Sequence, residues 1–355
     1  MKILGIETSC DETAVAWVEQ VENEFSVVDS LVSSQIRLHQ RFGGVVPEIA
    51  TREHLKNLPQ LTKDLISKNA LDLNEVDGIA VTVGPGLPTA LLVGVSYAKG
   101  LGVALGKPVY GVNHLEGHLF SPFFHLSKKE EGTRSEGSPS HSESLEIPFP
   151  MIGLIVSGGH TLIIEVKGWN RYLKRGGTMD DAAGEAFDKV ARMLGLPYPG
   201  GPEIEKWGKL GNPEAVDFPQ SFPERENFNF SFSGLKTSVR YFLEKNPEYL
   251  EGEEKKGDLC ASFQKAVVEV LVRKAVRACQ FIRSKALVVA GGVACNAVLR
   301  ERLRQECQKS GIALFIADPT LCTDNAAMIA CVAAARLSAG IDPDIAGDFN
   351  PNLHF

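Results

Sequence analysis

The chain of 355 residues is 44% hydrophobic, carries 34 glycines and has a formal net charge of -7 with an isoelectric point near 5.7. That length and apolar content suffice for a large core in two lobes, while the acidity excludes a generally basic nucleic-acid coat, so an RNA partner must be met by a local basic patch or another subunit. Seven scattered cysteines without a C-x-x-C pair give neither a disulfide framework nor a zinc ribbon, and with no signal-like start and no 18-residue apolar stretch recognised, the chain is expected to be soluble, cytoplasmic and not exported.

In chain order, Lys2-Ile3-Leu4-Gly5-Ile6-Glu7 reads as an apolar strand that opens into Thr8-Ser9-Cys10-Asp11-Glu12-Thr13 and returns through Ala14 to Val18. The turn's hydroxyls and amides can face an anion, and its acids can orient a metal or take a proton. Without company, acids in a hairpin turn read first as ordinary solvated residues. From Glu48 to Lys68, Ile49, Leu55, Leu58, Leu61 and Leu65 predict an amphipathic helix broken or kinked near Pro59, with Arg52, His54, Lys56 and Lys63 interleaved. Together with Arg37, His39 and Arg41 it forms the most basic region of the first half, a solvated face or an RNA or partner surface. Gly78 to Val83 predicts a buried strand, and Gly84-Pro85-Gly86-Leu87-Pro88-Thr89 turns into a small-residue helix from Ala90 to Leu105. That turn can bind a phosphate but lacks the Gly-Lys-Ser/Thr of a Walker loop.

After a strand ending at Val112 comes Asn113-His114-Leu115-Glu116-Gly117-His118. With Asn113 as cap, a helix here puts both imidazoles on one face a turn apart, the spacing with which a helix chelates one metal ion. A third ligand has to come from elsewhere; otherwise these are two solvated histidines. Ser127 to Glu146 is too polar to order itself and reads as a loop or linker. A second hairpin follows, Pro150 to Val156, the turn Ser157-Gly158-Gly159-His160, and Thr161 to Val166. It repeats the plan of the first, as in a duplicated fold that grips a nucleotide's phosphates between two lobes.

Thr178 to Asp181 caps a predicted helix through Leu194, with Ala183, Phe187, Val190 and Leu194 on its core stripe and Asp181, Glu185, Asp188 and Arg192 on another face, solvated or holding ribose hydroxyls. Leu196 to Pro202 is a rigid loop before a helix starting at Glu203. The aromatic alternation from Phe228 to Thr237 predicts a half-buried strand, and a helix spans Cys260 to Cys279. Ala286 to Ala290 is a buried strand ending in Gly291-Gly292-Val293-Ala294-Cys295-Asn296 before a helix from Ala297 to Ser310, an arrangement that seats a nucleoside on backbone with Asn296 free to hydrogen-bond it. Finally Leu321-Cys322-Thr323-Asp324-Asn325 enters the Ala-rich helix Ala326 to Ser338, for which Asp324 is by position the N-cap.

Taken together, the stretches Gly5 to Thr13, Gly84 to Leu87, Asn113 to His118, Val156 to Thr161, Gly184 to Lys189, Tyr198 to Pro202, Phe230 to Lys236, Gly291 to Asn296 and Cys322 to Ala326 resemble, in family order, the Kae/Qri/TsaD family of tRNA threonylcarbamoyl transferases. The resemblance implies an α/β, actin-like (ASKHA) fold of two RNase-H-like lobes with a cleft between them, here residues 1–125 plus 325–355, then 148–324, with 126–147 as a polar insertion longer than the family leads one to expect. It implies one divalent metal on His114, His118 and Asp324, with Fe(2+) the family's usual assignment and Zn(2+) equally suited to the donor set. The implied reaction moves the threonylcarbamoyl group from threonylcarbamoyl-AMP to N6 of the adenosine 3′ of the anticodon in tRNAs reading ANN codons, releasing AMP. By the same match Ile155, Val156, Ser157, Gly158 and Gly159 hold the phosphate and acyl region, Asp188 the ribose, Gly201 and Glu205 the ribose or adenine neighbourhood, and Asn296 the nucleoside. TsaB-like and TsaE-like proteins are the implied partners, with a TsaC-like protein making the intermediate. Asp11 and Glu12 are the candidate catalytic residues for deprotonating the attacking amine.

Other readings are a metalloprotease built on the histidine pair, a non-catalytic actin-like nucleotide-binding scaffold, and a small-molecule kinase of the same fold. Against the first, a zincin needs H-E-x-x-H, and here Leu115 stands where the glutamate belongs. Against the second, a scaffold paralogue is expected to lack the histidine pair and the Gly291 to Asn296 loop.

Overall fold

The structure, a computed structural model, describes residues 1–21, 24–124, 147–341 and 347–355, so the polar segment expected at 127–146 lies outside the described residues. Lys2–Glu7 (β1) and Glu12–Val21 (β2) form the first hairpin, and Glu24–Ser34 (β3) adds a strand absent from the sequence reading. Then come Ile36–Gln40 (α1), Pro47–Asn69 (α2), Gly78–Gly84 (β4), Pro88–Leu105 (α3), Val109–Asn113 (β5) and His114–Phe120 (α4). Met151–Val156 (β6), Thr161–Val166 (β7) and Tyr172–Gly177 (β8) precede four helices, Ala183–Met193 (α5), Gly200–Gly208 (α6), Ser233–Lys245 (α7) and Glu253–Ile282 (α8). Ala286–Ala290 (β9), Ala297–Ser310 (α9), Ala313–Ile316 (β10), Pro319–Cys322 (α10) and Ala326–Ser338 (α11) complete the order.

Two compact units result: Met1–Gln35, Val46–Ile147 and Asp324–Phe355 in one, Ile36–Val45 and Pro148–Thr323 in the other. Asp324, expected in the second lobe, belongs to the first unit, and α1 belongs to the second. Each unit holds a five-stranded mixed sheet, ordered β3-β2-β1-β4-β5 and β10-β9-β6-β7-β8. In both, the three hairpin strands are antiparallel and the last two run parallel to the first. The two orders are the same read from opposite ends, which is the duplication the hairpins announced.

In the first unit β1 and β4 are apolar on both faces because helices cover both sides: α2 and α3 pack on one, α11 on the other. Leu4, Ile6, Val15, Trp17, Leu58 and Ile79 form the centre of this core; truncating Trp17, fully buried, to alanine costs about 3–5 kcal/mol. Helix α2 runs unbroken through the exposed Pro59, contrary to the expected break. Its buried stripe is Ala50, His54, Leu58, Thr62 and Leu65, so the expected core residue Leu55 is 60% exposed and the expected surface residue His54 is 0% exposed. Helix α3 is long and apolar enough to cross a membrane, which corrects the reading that no such stretch exists; Ala90, Leu91, Val93, Gly94, Val95, Ala98 and Gly102 are buried within this unit.

The expected strand at 228–237 is not formed: Phe230 makes one bridge to Thr178, and Ser233 opens α7. All three aromatics, Phe228, Phe230 and Phe232, are buried, so alternation here marks an irregular segment laid into the core. Asp180 fixes it, accepting the amides of Phe232 and Ser233 at 2.8 and 3.2 Å and the hydroxyls of Ser231 and Ser233. Asp181 pairs with Lys189 and Lys236, both at 2.7 Å.

Candidate functional site

In the first unit Asn113 ends β5 and caps α4, its Oδ1 accepting the Leu115 amide at 2.8 Å, which fixes His114 and His118 one turn apart. The helix N-cap of α11 is Asn325, whose Oδ1 takes the Met328 amide at 2.9 Å, not Asp324 as its position suggested. Asp324 instead turns to the histidines: its Oδ1 lies 2.9 Å from His118 Nε2 and 3.5 Å from His114 Nε2. The donor atoms of these three residues all fall within 4.8 Å of one another.

Behind them lies Glu7, fully buried at the end of β1. Its carboxylate accepts the Ser9 amide at 2.5 Å and the Thr82 hydroxyl at 2.5 Å, and its Oε2 stands 3.2 Å from His114 Nδ1. Burial alone would push this carboxyl up, but the His114 charge and hydrogen bond hold it below the ordinary glutamate range. For His114 burial opposes the charged form, yet Asp324 and Glu7 outweigh it and raise the ring to about 9.

The three residues fit a metal. Glu7 takes the Nδ1 proton of His114 and so aims the Nε2 lone pair at Asp324, the carboxylate–histidine relay that orients metal-bound imidazoles. Two neutral nitrogens and one carboxylate oxygen suit Fe(2+) or Zn(2+), and three protein ligands leave a position open for substrate. The His118 Nδ1 is buried with no hydrogen-bond partner, so that ring lacks the support His114 has. Glu116 is 2% exposed and ion-paired with the buried Arg336 at 3.4 Å, on the far side of α4 from a general-base position; the protease reading loses its base.

Asp11 and Glu12 sit in the same unit, in the first hairpin turn. Asp11 is 8% exposed, and its carbonyl accepts the Gln35 amide at 3.0 Å. Burial, then the charges of Asp324 and Asp11, push the Glu12 carboxyl up to about 9, and Ser34 Oγ donates to it at 3.2 Å. At neutral pH Glu12 is therefore protonated in the metal-free chain, and a cation beside Asp324 pulls it down again. Burial also drives the Cys10 thiol well up, so it is no nucleophile. The Gly84 to Leu87 turn, a candidate phosphate loop by sequence, is filled by the chain itself: a side chain at Gly84 would meet the Asn350 carbonyl at 2.0 Å.

The second unit presents the other candidates. Ile155 and Val156 are fully buried in β6, so any ligand contact there is through their backbone. Ser157 closes the turn, its amide donating to the His160 carbonyl at 2.8 Å and its Oγ accepting the His160 amide at 3.1 Å, while Gly158 and Gly159 are exposed with open space around them. Helix α5 starts against this turn: Thr161 Oγ1 accepts the Ala183 amide at 2.9 Å, and the Ser157 carbonyl accepts that of Gly184 at 3.2 Å. A side chain at Gly184 would strike that carbonyl at 2.6 Å and the Gly158 Cα at 2.8 Å. A helix N-terminus against an open glycine turn favours an anion.

Asp188 accepts the Gly200 amide at 2.6 Å and borders a cavity of about 400 Å³ with Arg41, Phe42, Arg192 and Tyr198. Gly201 faces open space, and Glu205 pairs with Lys209 at 3.7 Å. The expectation that Asn296 is free is corrected: its Oδ1 caps α9 through the Leu299 amide at 2.9 Å and its Nδ2 donates to Gln264 at 2.7 Å. Sequence reasoning missed Glu7 and His54; a charged residue ending a buried strand, and a histidine three to four residues from apolar helix positions, were the signals present.

The family model described as TsaD, tRNA N6-adenosine threonylcarbamoyltransferase, matches residues 26–134 and 137–331. The protein of that name from Geotalea uraniireducens (strain Rf4) is 48% identical over 341 residues, covering 96% of this chain and 93% of its own. That of Thermosipho africanus (strain TCF52B) is 46% identical over 353 residues, 99% of each. Among solved structures, full-length HypF in its phosphate- and nucleotide-bound form aligns with TM-score 0.56 at 15% identity, over 95% of this chain and 46% of that one. The activator of the 2-hydroxyisocaproyl-CoA dehydratase from Clostridium difficile with bound ADPNP aligns with TM-score 0.50 at 14% identity, over 96% of this chain and 97% of that one. These two likenesses bear on fold, and agree with the actin-like (ASKHA) architecture of paired sheets. From its sequence match over nearly its whole length, the chain belongs to the tRNA N6-adenosine threonylcarbamoyltransferase family.

Proposed function

We propose that this enzyme takes the threonylcarbamoyl group from threonylcarbamoyl-AMP and places it on N6 of the adenosine 3′ of the anticodon in tRNAs reading ANN codons. The observation that carries the metal-assisted form of this reading is the convergence of His114, His118 and Asp324 in front of the buried Glu7. A divalent ion held there supplies Lewis acidity at the carbamoyl carbonyl and a seat for the threonyl carboxylate. Fe(2+) is preferred and Zn(2+) suits the same donors.

The chain's own residues supply the rest. Glu7 keeps His114 in the ligating tautomer and preserves its orientation. The Gly158–Gly159 turn offers open backbone and α5 its dipole to the phosphate of the leaving AMP, the first amides of α5 being already committed to Thr161 and Ser157. Asp188 and Glu205 are assigned to the ribose and its neighbourhood, Gly201 to close approach by the flat base, and Asn296 to shaping the nucleoside loop from within, since its side chain is already committed. Asp11 accepts the proton of the attacking amine, and Glu12, protonated, donates a hydrogen bond to it. TsaB-like and TsaE-like proteins are the proposed partners; a chain of net charge -7 needs added basic surface to hold tRNA at physiological salt. The cytoplasm, where tRNA is found, is the proposed location.

The test is transfer of labelled threonine, activated as threonylcarbamoyl-AMP, onto unmodified tRNA with those partners present, in wild type and His114→Ala. Label that reaches tRNA only with wild type supports both donor and metal site. Equal transfer by both proteins removes the metal, and none by either despite competent partners removes the proposed donor.

A further inference from the structure

An imidazole ties the acid-bearing turn to α2. His54 is 0% exposed and lies on the buried stripe of α2, where Ala50 and Leu58 flank it one turn away on either side. Its Nε2 is 3.0 Å from the Cys10 carbonyl, and its Nδ1 is 2.8 Å from the Thr13 hydroxyl. A carbonyl only accepts, so Nε2 carries the proton and Nδ1 receives the Thr13 hydroxyl hydrogen. The Gln35 amide nitrogen approaches the same Nδ1 at 3.5 Å and the Ala50 carbonyl at 3.4 Å. The ring thus touches the residue just before Asp11 and the residue just after Glu12. Packing alone asks for a leucine at this place on the stripe; the polar atoms of the turn ask for a group with one donor and one acceptor about 2 Å apart on a rigid plate, which imidazole provides.

We propose that His54 is a positioning residue for the reaction, a strut that fixes the Asp11–Glu12 turn from beneath so that its carboxyls meet the attacking amine. The proposal rests on the reading of that turn as the proton-handling element. The rest of the turn is held by groups with other duties: Glu7 grips the Ser9 amide while orienting His114, and Gln35 donates its backbone amide to Asp11. The Cys10 to Thr13 span leans on α2 through this ring whereas His114, His118 and Asp324 do not, so removing the ring loosens the acids and leaves those three residues in place. Misplacement by about 1 Å at a reacting group costs about 100-fold in rate.

The experiment compares His54→Leu, which fills the volume without hydrogen bonds, with His54→Gln, whose terminal amide reaches the Cys10 carbonyl, in the full chain with its partners. Each is followed by kcat and KM for threonylcarbamoyl transfer, by Zn(2+) affinity, and by amide hydrogen exchange at residues 10–13. Expected for His54→Leu is a kcat lowered about 10- to 100-fold, with KM and Zn(2+) affinity within about twofold of wild type and faster exchange confined to the turn; His54→Gln recovers most of the loss. Equal loss in both variants, or a loss of Zn(2+) affinity matching the loss of rate, overturns the strut. Asp11→Asn, run in parallel, separates the two readings. Full rate there with a slow His54→Leu removes the proton-handling role and keeps the strut, whereas full rate in both removes the strut from the reaction.

Discussion

The two units carry the same sheet and open on the same hairpin, yet their first turns are opposites. In the first unit Ser9 to Thr13 is largely buried, acidic and anchored by Glu7, Gln35 and His54. In the second, Ser157 to His160 carries two exposed glycines and is closed by one serine against its own backbone. One scaffold appears twice, once with buried acidic side chains held by partners and once with exposed backbone. Charged groups need partners when buried, as the first turn has; amides need only access, which the glycines of the second turn leave.

The sharpest way to break that contrast is at the metal ligands. Asp324→Ala removes the only carboxylate among the three donors, and transfer should fall by about 1,000-fold or more, with Zn(2+) no longer retained on equilibrium dialysis. Retained metal with full activity would place the ion elsewhere. In the second unit, Gly184→Val drives a side chain into the Ser157 carbonyl. The expected result is a KM for the nucleotide donor raised about 100-fold, with metal content unchanged, since small-to-large changes in packed sites typically cost about 1–3 kcal/mol and displace backbone. An unchanged KM would show that the phosphate does not use this turn.

Glu7→Gln tests the relay. Loss of the carboxylate behind His114 should weaken metal binding about 10- to 100-fold, read as a shift in the metal titration midpoint, while KM for the donor moves little. Asn296→Ala should lower stability by about 1 kcal/mol through loss of the α9 cap, seen in the urea midpoint; a rise in KM without that loss would return Asn296 to direct ligand contact. Smallest of all, Glu12→Gln should change kcat at pH 7 by no more than about threefold if Glu12 keeps, with the cation bound, the proton that burial and the Asp324 and Asp11 charges hold on it to about pH 9 in the metal-free chain. A much larger loss would make Glu12, with its proton drawn off by the bound cation, the base in place of Asp11.

Both hairpins, the strand–turn–helix around His114 and the final apolar helix were legible because their periodicity and caps agree with their tertiary use. Several misreadings share a physical source: polar groups recruited to a place that local pattern assigns to something else. His54 displaced Leu55 from the α2 stripe because the turn above it needs a donor and an acceptor. Phe228 to Phe232 alternates like a strand but is held by Asp180 as an irregular segment. Asn325 took the cap that Asp324 was placed to fill, which is what leaves Asp324 available to the histidines. Asn296, read as free, spends both ends of its amide within its own unit.

The separation of the ligands along the chain has a consequence for biosynthesis. His118 and Asp324 lie 206 residues apart, and the intervening chain builds most of the second unit. Emerging from the ribosome, the first unit has its sheet and both imidazoles long before the carboxylate or the α11 helix that covers β1 and β2 exists. A nascent chain arrested between residues 118 and 324 therefore holds the two imidazoles without the carboxylate that joins them in the finished fold. The His114–His118–Asp324 trio is thus complete only after translation has passed through the whole of the second unit.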